Sequence, residues 1–453
     1  MGTVLIHPHD NVSVNLDDSQ KYANRAIKQG EQIIKYGFPI GTAKCDIDEG
    51  EWVHSHNLKT SLSGVKDYTY TVGYTYSPTK EPITISAYVR KNGDIGIRND
   101  IWVIPTVGCV NKAAERIAAL TGAVAYTHPY GCSQLGGDHE RTQKVLRGLI
   151  RHPNAGGVLV LGLGCENNNL GVFKPILGEV DPERIRFLNS QEVGDEISAG
   201  VEIVKELQAL AAKDIRTEVP ISKLKIGMKC GGSDGLSGIT ANPLCGRISD
   251  ILTDMGGSAV LTEVPEMFGA EQILFDRCVS EDVFNRAVAL INNYKNYFIA
   301  HGEPISENPS PGNKEGGITT LEEKSLGCVQ KGGKAPITDV LDYGDTLIKP
   351  GLSLLNGPGN DIVAITNLTA AGCHIILFTT GRGTPLGAPV PTVKLATNTS
   401  LAERKSAWID FDAQENGEEA LLSLICEIAE GKLTANERNG YREIAIMKDG
   451  VTL

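Results

Sequence analysis

From about residue 82 onward, two hydrophobic patterns alternate along the chain. Short, continuous apolar runs have the length and β-branched content of buried strands: IWVIPTV (101–107), AVAYTHP (123–129), GVLVLGLG (157–164), LKIGM (224–228), SAVLTEV (258–264) and HIILFTT (374–380). Between and after them, apolar residues recur three and four apart, the spacing of helices with one buried face. The predicted helices are 111–122, 139–152, 198–213, 244–256, 281–302 and 418–432. This alternation predicts an α/β fold: one large domain with a mostly parallel sheet or sheets and flanking helices. Residues 1 to about 75 read differently. VLIHP, VSVNL, EQIIKYGFPIGTAKCDI and EWVHSHNL are short alternating stretches broken by Gly- and Asp-rich turns, which predicts a small all-β unit. The polar SLSGVKDYTYTVGYTYSPTKEP that follows is a linker or an extended crossing arm. The expected division is therefore 1–75 and 76–453. The loop ENPSPGNKEGG (307–317) is either a lid or the mark of a subdivision around 303–335.

Four predicted strands run into a cysteine. IWVIPTVGC ends at Cys109, VAYTHPYGC at Cys132, VLVLGLGC at Cys165 with Glu166 next, and LKIGMKC at Cys230 after Lys229. Ligands of open parallel sheets bind outside the carboxyl ends of the strands, so four thiols are expected on one such edge. Any one cysteine is as well explained as a small buried hydrophobe. The spacing is nothing like CxxC, which argues against a zinc ribbon. His54 and His56 are two apart in WVHSHNLKT and share a face if the segment is a strand. His128 stands four residues before Cys132, and His139 follows in the same loop; His7 and His9 are also two apart but near a terminus. His152, His301 and His374 read as structural. KCGGSDGLSGITANP (229–243) has four glycines and hardly a bulky side chain, so a ligand can approach its backbone closely. In TTGRGTP (379–385), Arg382 offers a fork that matches a carboxylate. PGND (358–361) is turn chemistry in which Asp361 caps a helix, and NGD (92–94) is a hairpin turn. No GxxxxGK[ST] is present, GGSDG (231–235) is not read as a GxSxG nucleophile elbow, and GGSDGLSG lacks the register of a dinucleotide fingerprint.

Composition narrows the function. The net charge of −12 and 6% aromatics argue against nucleic acid and anionic membrane, but leave room for a small anionic substrate in a locally basic pocket. No apolar run approaches the roughly 18 residues of a membrane span, and the start carries no signal-peptide pattern, which reads as cytoplasmic. The ten cysteines are then thiols and candidate metal or cluster ligands.

Seven segments together resemble a known family: AYVRKNGDIGIRND, IPTVGCVNK, YGCSQLGGDHERT, LGLGCENN, MKCGGSDGLSGITANP, GPGNDIVAITNLTAAGCHIILFTTGRGTP and PTVKLATN. The chain resembles the altronate/galactarate dehydratases, sugar-acid hydro-lyases, over most of residues 87–400. GEQIIKYGFPIG…DIDEGEWVHSHNLKT resembles that family's small SAF-type β-clip domain, here fused. The (2R)-sulfolactate sulfo-lyases share the two-part plan. One departure stands out: the family's small domain usually carries a Gly-His-Lys segment, whereas DNVSVNLDDSQKYANRAIKQGEQIIKYG has no His.

The resemblance implies a divalent metal, Fe2+ or Mn2+ in its place, and β-elimination of water from a 2,3-dihydroxy acid. A mixed His/Cys site with open positions suits iron. The expected ligands are His54 and His56 with Cys132 and Cys165. Lys229 and His128 are the expected base and acid, in either order. Ser233, Asp234, Ser237 and Asn242 are expected to bind hydroxyls, and Arg382 the carboxylate. A homo-oligomer, a dimer, is the expected assembly. Three alternatives stay open: a sulfo-lyase releasing sulfite, a dehydratase with an iron–sulfur cluster on the strand-end cysteines, and a sugar-acid-binding module without turnover.

Overall fold

The structure, a computed structural model, describes residues 2–71 and 73–453; Met1 and Val72, the latter within the predicted arm, lie outside the described residues. The amino-terminal part is all β. Strands β1 (Thr3–Val4), β2 (Val12–Asn15) and β3 (Lys21–Ala23) form one antiparallel sheet, and β4 (Gln32–Lys35), β5 (Phe38–Ala43) and β6 (Leu58–Lys59) another. Ile27, Ile33, Ile40, Ile47 and Val53 fill the space between them, and that core is continuous with the core of the large carboxyl-terminal sheet. The arm is extended: Tyr68 stacks edge-on against Phe275 at 4.7 Å, and the Tyr76 hydroxyl donates to Thr253 O.

The hairpin β7 (Thr84–Val89) and β8 (Ile95–Gly96) turns at NGD, as its glycine requires. Next come four parallel strands, β9 (Asp100–Pro105), β10 (Val124–Ala125), β11 (Ala155–Gly162) and β12 (Ile185–Asn189), in the order β10-β9-β11-β12. Alternate residues of β9 face opposite cores. Ile101 and Val103 meet α1 (Asn111–Thr121) and α4 (Glu196–Ala211); Trp102 and Ile104 meet α2 (Gly136–Ile150) and α3 (Leu170–Leu177). β13 (Arg216–Pro220) then returns antiparallel to β7.

The last region is a second parallel sheet of seven strands: β14 (Lys225–Cys230), β15 (Ser258–Leu261), β16 (Ile337–Leu341), β17 (Gly351–Leu355), β18 (Ile375–Thr380), β19 (Thr392–Ala396) and β20 (Phe411–Asp412). Their order is β16-β17-β15-β14-β18-β19-β20. The helices of this region include α5 (Ala241–Asp254), α6 (Glu271–Phe275), α7 (Glu281–Ala300), α8 (Pro311–Glu315), α9 (Leu321–Cys328) and α10 (Asp361–Ala370). Residues 76–453 thus hold two parallel sheets. The 307–317 loop belongs to the second sheet's region, where it overhangs the carboxyl edge. Cys109, Cys132 and Cys165 follow strands of the four-stranded sheet, and Cys230 ends a strand of the other, so the four thiols do not share one edge. Among the described residues, no helix is long and apolar enough to cross a membrane.

Candidate active site at the carboxyl edge of the seven-stranded sheet

From β14 the chain winds outward to β15 and on to β16 and β17, then comes back to place β18 on the other side of β14. Strand order reverses between β14 and β18, the place where open parallel sheets leave a crevice for ligands. The loops leaving these two strands are sewn together there. Gly231 N donates to Thr379 O at 3.0 Å, and the amides of Gly381 and Arg382 both donate to Gly232 O. A Cβ on Gly381 would lie 2.2 Å from Cγ of Asp234, so only glycine permits this approach.

Lys229 points into this edge and is fully buried. Its ammonium meets the Glu263 carboxylate, the Cys230 carbonyl and, at 2.8 Å, Asp361. Burial alone would lower its pKa. The carboxylates of Glu263, Asp361 and Glu266 outweigh burial and hold it above the ordinary lysine value. The side chain expected as base or acid is therefore a firmly held cation, which corrects its assignment as a base. Glu263 has φ 69°, a left-handed conformation uncommon for a residue with a side chain. It is held there by Lys229, by Lys331 at 3.1 Å and by the Cys230 amide at 3.0 Å. Asp361 is the first residue of α10, which Asn360 caps, and its side chain is 38% exposed while that of Glu263 is fully buried. It is thus the carboxylate through which the buried lysine reaches the crevice. On β19, Lys394 is also buried and lies 4.9 Å from the Phe378 ring centroid, with Lys229 5.6 Å from the same centroid. Burial pushes the Lys394 pKa down to about 8, against the pull of Asp410 and Asp361.

The other expected residues divide. Arg382 lies at the crevice, half exposed. Its Nη1 donates to Gly312 O and Glu315, and the rest of its fork has no protein partner among the described residues. Ser233 sits in the loop after β14, its carbonyl tied to Asn313 Nδ2. Asp234, Ser237 and Asn242 are used by the fold itself. The buried Asp234 carboxylate accepts from Ser237 Oγ, Leu236 N, Thr397 Oγ1 and Asn398 Nδ2. Asn242 donates to Gly327 O and accepts from Thr379 Oγ1. These three pin the crevice wall and are not presented to a ligand. His128 lies in the other parallel sheet's region and is 2% exposed. Both ring nitrogens are bound to backbone, and burial lowers its pKa to about 4. It is a structural neutral imidazole, not brought to Lys229.

The small β domain caps the edge. Lys21 and Lys35, both 1% exposed, each place an ammonium 2.8 Å from Glu323 at the start of α9. Gln20 Nε2 donates to Glu315 O and His54 Nε2 bonds Lys314 O, so the cap grips the same short helix that meets Arg382. The His54 and His56 rings lie against Trp52, at 4.7 and 5.2 Å. The expected metal ligands fail to converge. His54 uses both nitrogens on Ser55 Oγ and Lys314 O, His56 is 4.0 Å from Glu51, and Cys132 and Cys165 belong to the other sheet. Among the described residues, the one tight set of three His, Cys, Asp or Glu ligand atoms is Cys230, Glu266 and Cys328. Glu266 already accepts from both thiols and pairs with Lys324 at 2.8 Å, with the Lys229 and Lys331 ammonium charges also acting on it. Three ammonium groups around one carboxylate occupy the electrostatic place of a cation. These donors do not fit a mononuclear divalent ion as they stand.

Family descriptions match the three parts of the chain. "Altronate/galactarate dehydratase SAF domain" matches residues 15–61, "D-galactarate dehydratase/Altronate hydrolase, second domain" 87–212, and "D-galactarate/Altronate dehydratase, C-terminal" 221–452. Altronate dehydratase of Bacillus subtilis is 51% identical over 493 aligned residues, covering 99% of both chains. Altronate dehydratase of Escherichia coli is 49% identical over the full length of both. The (2R)-sulfolactate sulfo-lyase subunit beta of Chromohalobacter salexigens is 33% identical over 81% of this chain and 97% of its own. The protein is an enzyme of the hydro-lyase class. Its chain belongs to the D-galactarate/altronate dehydratase family.

The sequence marks Asp361 only as a helix cap and does not single out Glu263, Glu266, Lys324, Lys331 or Lys394. A charge inside an apolar strand, as in TVKLA, or directly after one, as in SAVLTE, was the available signal.

Proposed function

We propose that this enzyme eliminates water from altronate to give a 2-keto-3-deoxy acid. The full-length identity to two altronate dehydratases carries the choice of substrate. The Lys229–Asp361 pair beside Arg382 supports a place for the chemistry. The proton on C2, next to a carboxylate, is weakly acidic, so its removal needs an aligned base and positive charge where the enediolate develops. Asp361 takes that proton. The C–H electron pair becomes the C2–C3 double bond, the C3 hydroxyl departs as water with a proton from solvent, and the enol gains a solvent proton at C3 as its O–H proton leaves to solvent, giving the ketone. Arg382 grips the carboxylate with the free part of its fork. Lys229 holds Asp361 in place, and together with Lys394 makes the edge electropositive.

Anaerobic assay of altronate, galactarate and sulfolactate side by side, reading 2-keto acid and sulfite, tests the reading. Fastest 2-keto acid formation from altronate is expected. Sulfite from sulfolactate with no product from altronate would overturn it. Arg382→Lys is expected to raise KM for altronate by roughly tenfold or more, since a point charge replaces a two-pronged grip; an unchanged KM removes Arg382 from the carboxylate site.

A further inference from the structure

The four-stranded sheet carries a cluster of thiols that the Lys229 site does not use. Four of the ten cysteines are exposed, and three of those four, Cys109, Cys132 and Cys165, follow the adjacent strands β9, β10 and β11. Cysteine is among the most buried residue types, so exposure of three in one place argues against space filling. The topology agrees. The chain goes from β9 to β10 on one side and then to β11 on the other, so strand order reverses between β9 and β11, and a ligand crevice belongs there.

The three loops are built as one unit. Gly108 N donates to Tyr130 O, Asn168 N to Gly131 O, and Ser133 N to Asn167 Oδ1. Gly131, at φ 99°, lets the Cys132 loop touch the end of β9, where a Cβ would lie 2.0 Å from Thr106 O. Buried Glu166 accepts from Thr106 Oγ1, Leu163 N and Gly164 N, which fixes the turn that carries Cys165. Two sulfurs already have donors directed at them: Gln191 Nε2 to Cys165 Sγ at 3.4 Å and Ser133 Oγ to Cys132 Sγ at 3.9 Å. Each loop also leads into a helix, α1, α2 or α3, whose amino-terminal end favours negative charge. The site is made for an anionic, sulfur-ligated group.

Spacing argues against a single tetrahedral zinc ion. Tetrahedral zinc, with Zn–S near 2.3 Å, holds its sulfurs roughly 3.8 Å apart. Among the described residues, these three sulfurs do not all lie within 4.8 Å of one another. A cubane binds each thiolate through a different iron and so accepts a wider stance. We propose that Cys109, Cys132 and Cys165 hold a [4Fe–4S] cluster whose fourth iron has no cysteine ligand and is open to an oxygen ligand such as a hydroxyl or carboxylate. Three thiolates supply three of the four cluster bonds that such clusters normally take from cysteine.

The test is anaerobic isolation of the full-length chain, with iron and sulfide reconstitution, read by visible absorbance, low-temperature electron paramagnetic resonance after dithionite, and metal and sulfide analysis. The expected protein is brown, bleaches on reduction and holds about four iron and four sulfide per chain. Cys109→Ser, Cys132→Ser and Cys165→Ser should each lose most of the chromophore with the melting temperature of the apoprotein unchanged, while Cys45→Ser keeps it. A colourless protein, iron without sulfide, or a chromophore lost in Cys230→Ser or Cys328→Ser but kept in the other three overturns the proposal. These readouts need no turnover, so their failure is separate from failure of the altronate reading.

Discussion

Asp361→Asn is expected to lower kcat for altronate by roughly 10²- to 10⁴-fold, the contribution of a positioned general base, with little change in KM. The substitution is close to isosteric. It leaves Asn360 as the cap of α10 and leaves Lys229 its other counter-ion, Glu263, so fold and electrostatic frame persist. What is lost is the one solvent-reaching carboxylate on the buried ammonium. Steady-state kinetics separate the two constants. An amide variant that turns over within a few-fold of the wild type removes Asp361 from proton transfer and leaves it a salt-bridge partner only.

Glu323→Gln is expected to destabilise the docked small domain by about 3–5 kcal/mol, because it strands two buried ammonium groups, Lys21 and Lys35, without a counter-charge. Burial would raise the Glu323 carboxyl, but the two lysines win and bring it from 4.5 down to about 2. A carboxyl depressed in the folded state contributes stability that is full above the unfolded value and lost as pH falls through the folded one. The contribution of Glu323 is therefore present above about pH 4.5 and disappears between there and about 2. Denaturant unfolding and limited proteolysis of the arm at 61–82 read the effect. Adding Lys21→Met and Lys35→Met to Glu323→Gln should recover most of the loss, since a buried pair can be exchanged for apolar packing at little cost. A single variant as stable as the wild type would show that the cap is held by apolar contact alone. Because the cap grips the helix that meets Arg382, undocking should also raise KM.

How much of this could be read from the sequence depended on the kind of signal. The strands of both parallel sheets were plain wherever apolar residues ran uninterrupted, as in GVLVLGLG and HIILFTT. β19 escaped because Lys394 interrupts its run, and a buried lysine looks like an exposed one until its partners are known. The crevice loops and Arg382 were legible from their glycines. Asp234, Ser237 and Asn242 were misread as ligand-facing, since a polar side chain in a glycine-rich loop serves the loop or a ligand equally well in sequence. Likewise, strand-end cysteines suggested one edge, but nothing in residue order says that two sheets divide them. Asp361 was read only as a helix cap for a similar reason: it is linked to Lys229 only through the return of the chain from β17 to α10 and β18, a pairing 132 positions long that no local motif encodes.

The most direct test of the central claim, removal of water from altronate at the Lys229–Asp361 edge, is anaerobic turnover in D2O followed by proton magnetic resonance of the product. The wild-type enzyme is expected to yield a 2-keto-3-deoxy acid with one deuterium at C3, and Asp361→Asn to form it at least about a hundredfold more slowly. No 2-keto product from altronate, or equal rates for the two proteins, would contradict it.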